Sequence, residues 1–310
     1  MEDLLSKLLP ILLLLLIGFV SKQLKVFSDS FIEELKGLII KIALPAVLFD
    51  AFSTMKLQVS YLLLFSLVFI YCIILYGIGH GLHKFFPKVF SRYYTKGFMT
   101  GFEFGMIGVG LFGAIWGIDK LPIIVLVAFG HELFIWFFYV LFISKSTQKS
   151  YSLSVNFKQF IKTPTIIAII LGLVVNLSGI YPLLNSNIIG QSLFSVVGFL
   201  KPLTSPLILI IIGYTMVFHR TNLREAAVYI LARIILVMSL GTLVVVTIIN
   251  LIPGIDPLFV QAFYAFILLP APYILPLYIK DREEATFFTQ VLVYNTVITF
   301  IGYGVLVYIS

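Results

Sequence analysis

This sequence predicts an all-α membrane protein: ten transmembrane helices forming two inverted five-helix repeats, with broken crossover helices four and nine. Three observations carry that reading: a composition too apolar for water, ten long apolar runs, and the same order of proline and glycine landmarks in both halves of the chain.

Of the 310 residues, 60% are hydrophobic and 11% charged, and the mean hydropathy is +1.09. A soluble domain carries about 25% charged residues, so this chain could not cover its own surface in water. Backbone groups in a bilayer must be satisfied inside each spanning element, which leaves helices or closed barrels. The apolar runs are long and continuous rather than short and alternating, which excludes the barrel. The single cysteine, Cys72, lies inside the apolar run Tyr61–Gly79 and can form no intramolecular disulfide. No Cys/His cluster suggests a metal site, and no cofactor is expected. The net charge of +7 comes from basic residues flanking apolar runs, which reads as membrane orientation rather than nucleic-acid binding. Leu8–Val20 follows Glu2 and Asp3 instead of a basic cluster and precedes no small-x-small site, so it reads as a retained first helix.

A spanning helix needs about 20 mostly apolar residues. The ten candidates are Leu4–Leu24, Phe31–Phe52, Tyr61–Gly79, Gly97–Ile118, Leu121–Ile143, Thr165–Ile180, Ser192–Phe218, Ala226–Ile252, Leu258–Ile279 and Ala285–Ile309. Residues 1–145 form the first five-helix repeat, 146–163 a cytoplasmic connecting loop, and 164–310 the second repeat, all within one membrane domain. Fourteen Lys and Arg residues fall in the odd-numbered loops, among them Lys22, Lys88, Arg92, Lys149, Arg224 and Arg282. Only Lys7, Lys56 and Lys120 fall on the other side. The positive-inside rule then puts the odd loops in the cytoplasm and both termini outside, in the cytoplasmic membrane of the cell.

The stretch Pro10 to Gly18 to Val20 lies over Pro164 to Gly172 to Val174, residue for residue in pattern. Helices two and seven each carry a mid-span proline, Pro45 and Pro206. Helices four and nine each carry helix-disfavouring residues: Gly105, Gly108 and Gly110 in one, Pro270, Pro272 and Pro276 in the other. An odd number of spans per unit forces the second copy to insert upside down. Inverted repeats with paired broken helices near the midplane are a common plan of secondary transporters.

At these residues the chain resembles the auxin efflux carrier family, whose bacterial members are small-solute permeases. The resemblance covers essentially the whole chain. It rests on Ala43-Leu44-Pro45 to Phe49, Lys162-Thr163-Pro164 to Gly172, Pro206 to Gly213, and Leu269-Pro270-Ala271-Pro272 with the stretch Glu284–Thr299. It implies a ten-helix fold with two crossing interrupted helices, a scaffold and a mobile transport part, organic anions as substrates and a homodimer. The family usually carries an Asn-x-Gly-Phe-type stretch with a proline in helix four. Here that place reads Thr100 to Met106, with Glu103 and no proline.

Ionisable groups inside a bilayer cost roughly 2.5–3.5 kcal/mol on insertion scales, so each needs a reason. Glu103 precedes the glycine run. A carboxylate at a loosened helix could bind a cation such as sodium or pass a proton; the alternative is a salt bridge to Lys41, Lys201 or Arg233. His131 and Glu132 are adjacent and about 100° apart on one helix, and the inverted copy places Asn295 opposite Glu132. These three read either as a shared site or as interhelical hydrogen bonding. Arg233 either snorkels to the interface or contacts an anion. Gly105, Gly108 and Gly110 are expected to unwind. Pro270 and Pro272 remove two backbone donors around Ala271, which opens the helix or merely kinks it. The candidate substrate and ion site therefore comprises Glu103, Gly105, Gly108, Pro270, Ala271, Pro272, Asn295, Glu132, His131, Pro45 and Pro206.

The expected function is transport of a small organic anion, coupled to a proton or sodium ion or to neither. An intramembrane enzyme is the rival, and the sequence offers it no His-Glu-x-x-His, Gly-x-Ser-x-Gly or paired-aspartate motif. A channel is the third reading.

Overall fold

The computed structural model describes every residue except 1, 56–59, 141–160, 217–221, 253–254 and 310. The predicted connection 146–163 therefore lies, but for residues 161–163, outside the described residues. Among the described residues the chain is helical and has no strand. Five helices are long and apolar enough to cross a membrane: Leu63–Phe85, Ile118–Tyr139, Ile188–Thr215, Leu223–Leu251 and Arg282–Ile309. Four shorter apolar helices, Leu9–Gln23, Phe104–Trp116, Pro164–Leu177 and Leu258–Ile267, overlap further predicted runs. Large apolar side chains lie open on these helices, with Leu12 54%, Ile235 67% and Ile301 63% exposed. Such surfaces suit lipid tails rather than water. The architecture is that of an all-α membrane protein.

The predicted run Phe31–Phe52 forms as Asp29–Leu38, a π turn Ile39–Ala43 and the helix Leu44–Thr54. Ser28 starts it by accepting the Phe31 N–H at 3.1 Å, as an N-cap serine does. The π turn is the response to Pro45, which has no N–H and whose ring would collide with the carbonyl four residues back. Leu44 donates instead to the Ile39 carbonyl, five residues back. Pro45 thus shifts the helical register without opening the helix. Pro206 likewise lies inside the unbroken helix Ile188–Thr215.

The chain divides into two units, each drawn from three separate segments. The first holds Met1–Gln58, Val109–Pro122 and Lys158–Met216. Its helices pack backbone to backbone at glycines. A Cβ on Gly18 would stand 2.0 Å from the Ile210 carbonyl oxygen, and one on Gly213 2.0 Å from that of Leu15. A Cβ on Gly172 would stand 2.7 Å from the Phe49 carbonyl oxygen. The aligned glycines of the two halves therefore do the same work: Gly18 seats the first helix on the Pro206 helix, and Gly172 seats its counterpart on the Pro45 helix. Asn176 then caps the latter by donating to the Phe52 and Met55 carbonyls at 3.0 and 2.7 Å.

This packing makes a stability prediction. Gly18→Val should cost about 3 kcal/mol, because the obstacle is backbone and cannot rotate away. A Cβ on Gly37 would meet nothing within 4 Å, so Gly37→Ala should leave stability unchanged or raise it by up to about 1 kcal/mol. Thermal unfolding of both variants in one detergent checks the contrast.

The second unit holds Val59–Gly108, Ile123–Phe157 and Val217–Ser310. Its core is aromatic: Phe102 packs on Phe266 at 4.8 Å between ring centres, and on Tyr71 at 6.3 Å. A Cβ on Gly130 would stand 2.0 Å from the Phe65 carbonyl oxygen, so the helix Leu121–Phe134 lies directly on Ser60–Phe85. At one end Arg92 forms a fork with Glu225, Nε to Oε1 at 2.9 Å and Nη2 to Oε2 at 3.2 Å. Its Nη1 reaches Glu283 Oε1 at 3.2 Å. Three segments predicted to share a membrane side are therefore tied together.

Candidate functional site

Two interruptions define the centre of the second unit. The short helix Thr95–Phe98 stops, Met99–Glu103 are unwound, and helical structure resumes with the π turn Phe104–Gly108. Gly101 has φ +72°, a backbone conformation with little penalty only for glycine. The break thus precedes the place expected from the glycine run. Gly105 and Gly108 are in the π turn and Gly110 in the helix Val109–Trp116. Gly108 and Gly110 serve close packing: a Cβ on Gly108 would come within 2.8 Å of Leu269 Cδ1, and one on Gly110 within 2.6 Å of Ile208 Cγ2. Gly105 is exposed, and a Cβ there would meet nothing.

The second interruption follows the helix Leu258–Ile267. Residues 268–274 carry no helix, and a single 3-10 turn, Leu275–Tyr278, follows. Pro270 and Pro272 withhold two donors within three residues, so the helix opens there and does not merely kink.

The two unwound segments cross and bond to each other. Glu103 donates its backbone N–H to the Pro270 carbonyl at 2.8 Å, and its Oε2 accepts the Tyr273 N–H at 2.8 Å. A Cβ on Gly101 would press within 2.7 Å of Pro272 Cγ, so only a glycine lets the two segments approach this closely. Helix Arg282–Ile309 secures the second break: Thr299 donates to the Leu268 carbonyl at 2.8 Å, and Thr296 bonds the Tyr273 hydroxyl at 2.6 Å.

The crossing recruits some of the residues expected from sequence and not others. His131 is 2% exposed, and its Nε2 accepts the Phe102 N–H at 2.8 Å, so it satisfies an amide freed by the first break. With Nε2 accepting, a neutral ring carries its proton on Nδ1, which lies 3.4 Å from Glu132 Oε1 and has no hydrogen-bond partner. Glu132 is about one-third exposed. Asn295 is 3% exposed and lines a cavity of about 170 Å³ with Arg233, Leu269 and Thr299. Its Oδ1 has no partner. Pro45 and Pro206 belong to the first unit and are not part of this crossing.

Glu103 and Arg233 both lie in the second unit and form no ion pair, so the alternative bridge between them is absent. Lys201 is taken by Asp50 at 2.6 Å and Asp119 at 3.0 Å, and Lys41 is exposed. Arg233 does not snorkel: it is 2% exposed and donates to the carbonyls of Phe98, Gly101 (2.7 Å) and Leu269 (3.4 Å).

Sequence reasoning missed Tyr273, Thr299 and Asp50, and reached Thr296 only as a polar neighbour of Asn295. Asp50 carried a readable signal, a carboxylate at the end of the run Phe31–Phe52 that needs a cation in a low-dielectric setting. Thr299 carried none, because a hydroxyl in an apolar helix is most often bonded within its own turn.

The chain matches no protein-family model and none of the curated proteins compared with it.

Proposed function

We propose that the chain is a secondary active transporter, a permease or efflux carrier that moves a small organic anion across the cytoplasmic membrane by alternating access. The observation that carries this reading is the bonded crossing of two interrupted helices at Glu103, Pro270 and Tyr273. Unwound backbone is tolerated at membrane depth only where it is buried in protein or lines a cavity. Paired breaks of this kind are where secondary carriers hold substrate and coupling ion.

Two further observations support the inverted ten-span plan. The aligned glycines Gly18 and Gly172 make equivalent contacts, each on the proline-bearing helix of the opposite half. The first two predicted spans of each half also fall in the first unit. The last three fall in the second, apart from the stretch Val109–Pro122. Two bodies, each holding parts of both repeats, suit an elevator-like carrier with a scaffold and a transport part. In this reading Glu103 carries the coupling proton and the crossing frames the anion.

Impermeant thiol labelling tests the topology that the reading requires. Lys88→Cys and Asn185→Cys both place a thiol at an exposed position. Lys88→Cys should label only after the membrane is permeabilised, and Asn185→Cys in intact cells; Cys72 is fully buried and should stay silent. Labelling of both from one side would sink the ten-span plan.

A further inference from the structure

The carbonyls freed at the crossing are already occupied by a cation, and that cation belongs to the chain. Arg233 enters from the helix Leu223–Thr247. Its Nη1 donates to the Phe98 carbonyl, while Nη2 donates to the Gly101 carbonyl at 2.7 Å and approaches that of Leu269 at 3.4 Å. Phe98 and Gly101 bracket the start of the first break, and Leu269 lies in the second. One guanidinium thus holds both breaks. Its Cζ lies over the Phe102 and Phe98 rings, 5.0 and 5.6 Å from their centres, which favours a weakly hydrated cation. Among the described residues no carboxylate stands within ion-pair distance of it. The charge is therefore met by carbonyl dipoles and ring faces rather than by a carboxylate.

Unwound carbonyls at membrane depth are the usual ligands of sodium in secondary carriers, because they replace its hydration shell. Here the same kind of carbonyl cluster receives N–H donors on a tether. We propose that Arg233 is a resident cation at the crossing, filling the place of a free alkali-metal ion, so that the two breaks close without sodium. The proposal concerns the ion chemistry of the crossing and does not depend on which solute is carried. It also names a specificity-determining residue: a neutral side chain at 233 would leave three carbonyls facing one another without a donor or cation.

The cavity beside Arg233 supplies the means of testing it. At about 170 Å³ it holds roughly five or six waters' worth of space, room enough for a small planar cation placed there from solution. Asn295, 3% exposed, lines the same cavity.

The test is thermal unfolding of the full chain in detergent, in sodium chloride and in N-methylglucamine chloride of equal ionic strength, with and without methylguanidinium. The wild type should melt at the same temperature in both salts. Arg233→Ala should melt lower by about 5 °C or more, and millimolar methylguanidinium should recover at least about half of that loss. Arg233→Lys keeps a tethered cation; it covers the case in which the alanine variant does not fold, and should itself fold and stay indifferent to sodium. A sodium-dependent rise in the wild type would overturn the proposal, since a free ion would then still have a place at the fold. So would an Arg233→Met chain, isosteric but neutral, that melts with the wild type, because the crossing would then need no cation at all.

Discussion

Glu103→Gln is expected to reduce gradient-driven accumulation of the carried anion to the level of protein-free vesicles, while exchange of that anion across the membrane persists. The glutamate oxygen accepts the Tyr273 N–H at the meeting of the two breaks, and a glutamine oxygen can accept the same bond. Stability should therefore stay within about 1 kcal/mol of the native chain. What glutamine cannot do is alternate between a charged and a neutral form. Glu103 is half-buried and, among the described residues, faces no cation within the second unit, so a Glu103 that carries a proton would change state as the site faces each side. With no ion pair to Arg233, the substitution breaks no bridge within the second unit. Melting temperature and uptake measured on one preparation separate the outcomes. Lost stability with intact coupling would return Glu103 to a structural role.

Gly101→Ala should destabilise the second unit through two costs that add. The residue has φ +72°, where an L side chain costs about 1–2 kcal/mol. The new Cβ would also meet Pro272 Cγ at 2.7 Å, and overpacking of that kind costs about 1–3 kcal/mol. Together they imply a fall in melting temperature of about 5–15 °C. Pro272→Ala removes the ring that the methyl strikes, so the double variant should recover about 1–3 kcal/mol relative to the sum of the single changes. Pro272→Ala alone should damage uptake far more than folding, because it restores a donor where the break depends on its loss. Wild-type uptake in well-folded Pro272→Ala protein would show that the break does not need this proline.

How much of this was legible in the sequence depended on whether the cause was local. Long apolar runs fix helices by their own chemistry, so each predicted run holds helical structure among its described residues, and five of the helices there are long and apolar enough to cross a membrane. Pro270 and Pro272 act on their own backbone, and the second break falls where they stand. The first break was misplaced. Gly105, Gly108 and Gly110 looked flexible, yet Gly108 and Gly110 are small for the sake of packing against Leu269 and Ile208. The true break is held open from outside: its carbonyls are taken by Arg233, more than a hundred residues away, and one of its amides by His131. No periodicity in residues 97–118 could record that. Glu103 was singled out correctly as an ionisable group at an interrupted helix, but its partner is a backbone amide rather than the cation that a charge count suggests.

For Pro45 and Pro206 the sequence marks a mid-span proline and no more. A proline inside a membrane helix signals a disturbance without saying how it is absorbed. At Pro45 the chain takes up the misfit in one π turn and keeps its packing surface, and at Pro206 the helix continues without a break.

Solute counterflow in proteoliposomes tests the central claim most directly. Vesicles containing the purified chain are loaded with unlabelled organic acid and diluted into a trace of the same acid carrying a radiolabel, with no ion gradient imposed. The account predicts that label accumulates transiently above its outside concentration for at least one acid of a small panel. It predicts the same for Glu103→Gln, and much less for Pro272→Ala. A chain shown to be folded and inserted that produces no counterflow across such a panel, or that lets label enter only to equilibrium, would contradict alternating access at this crossing.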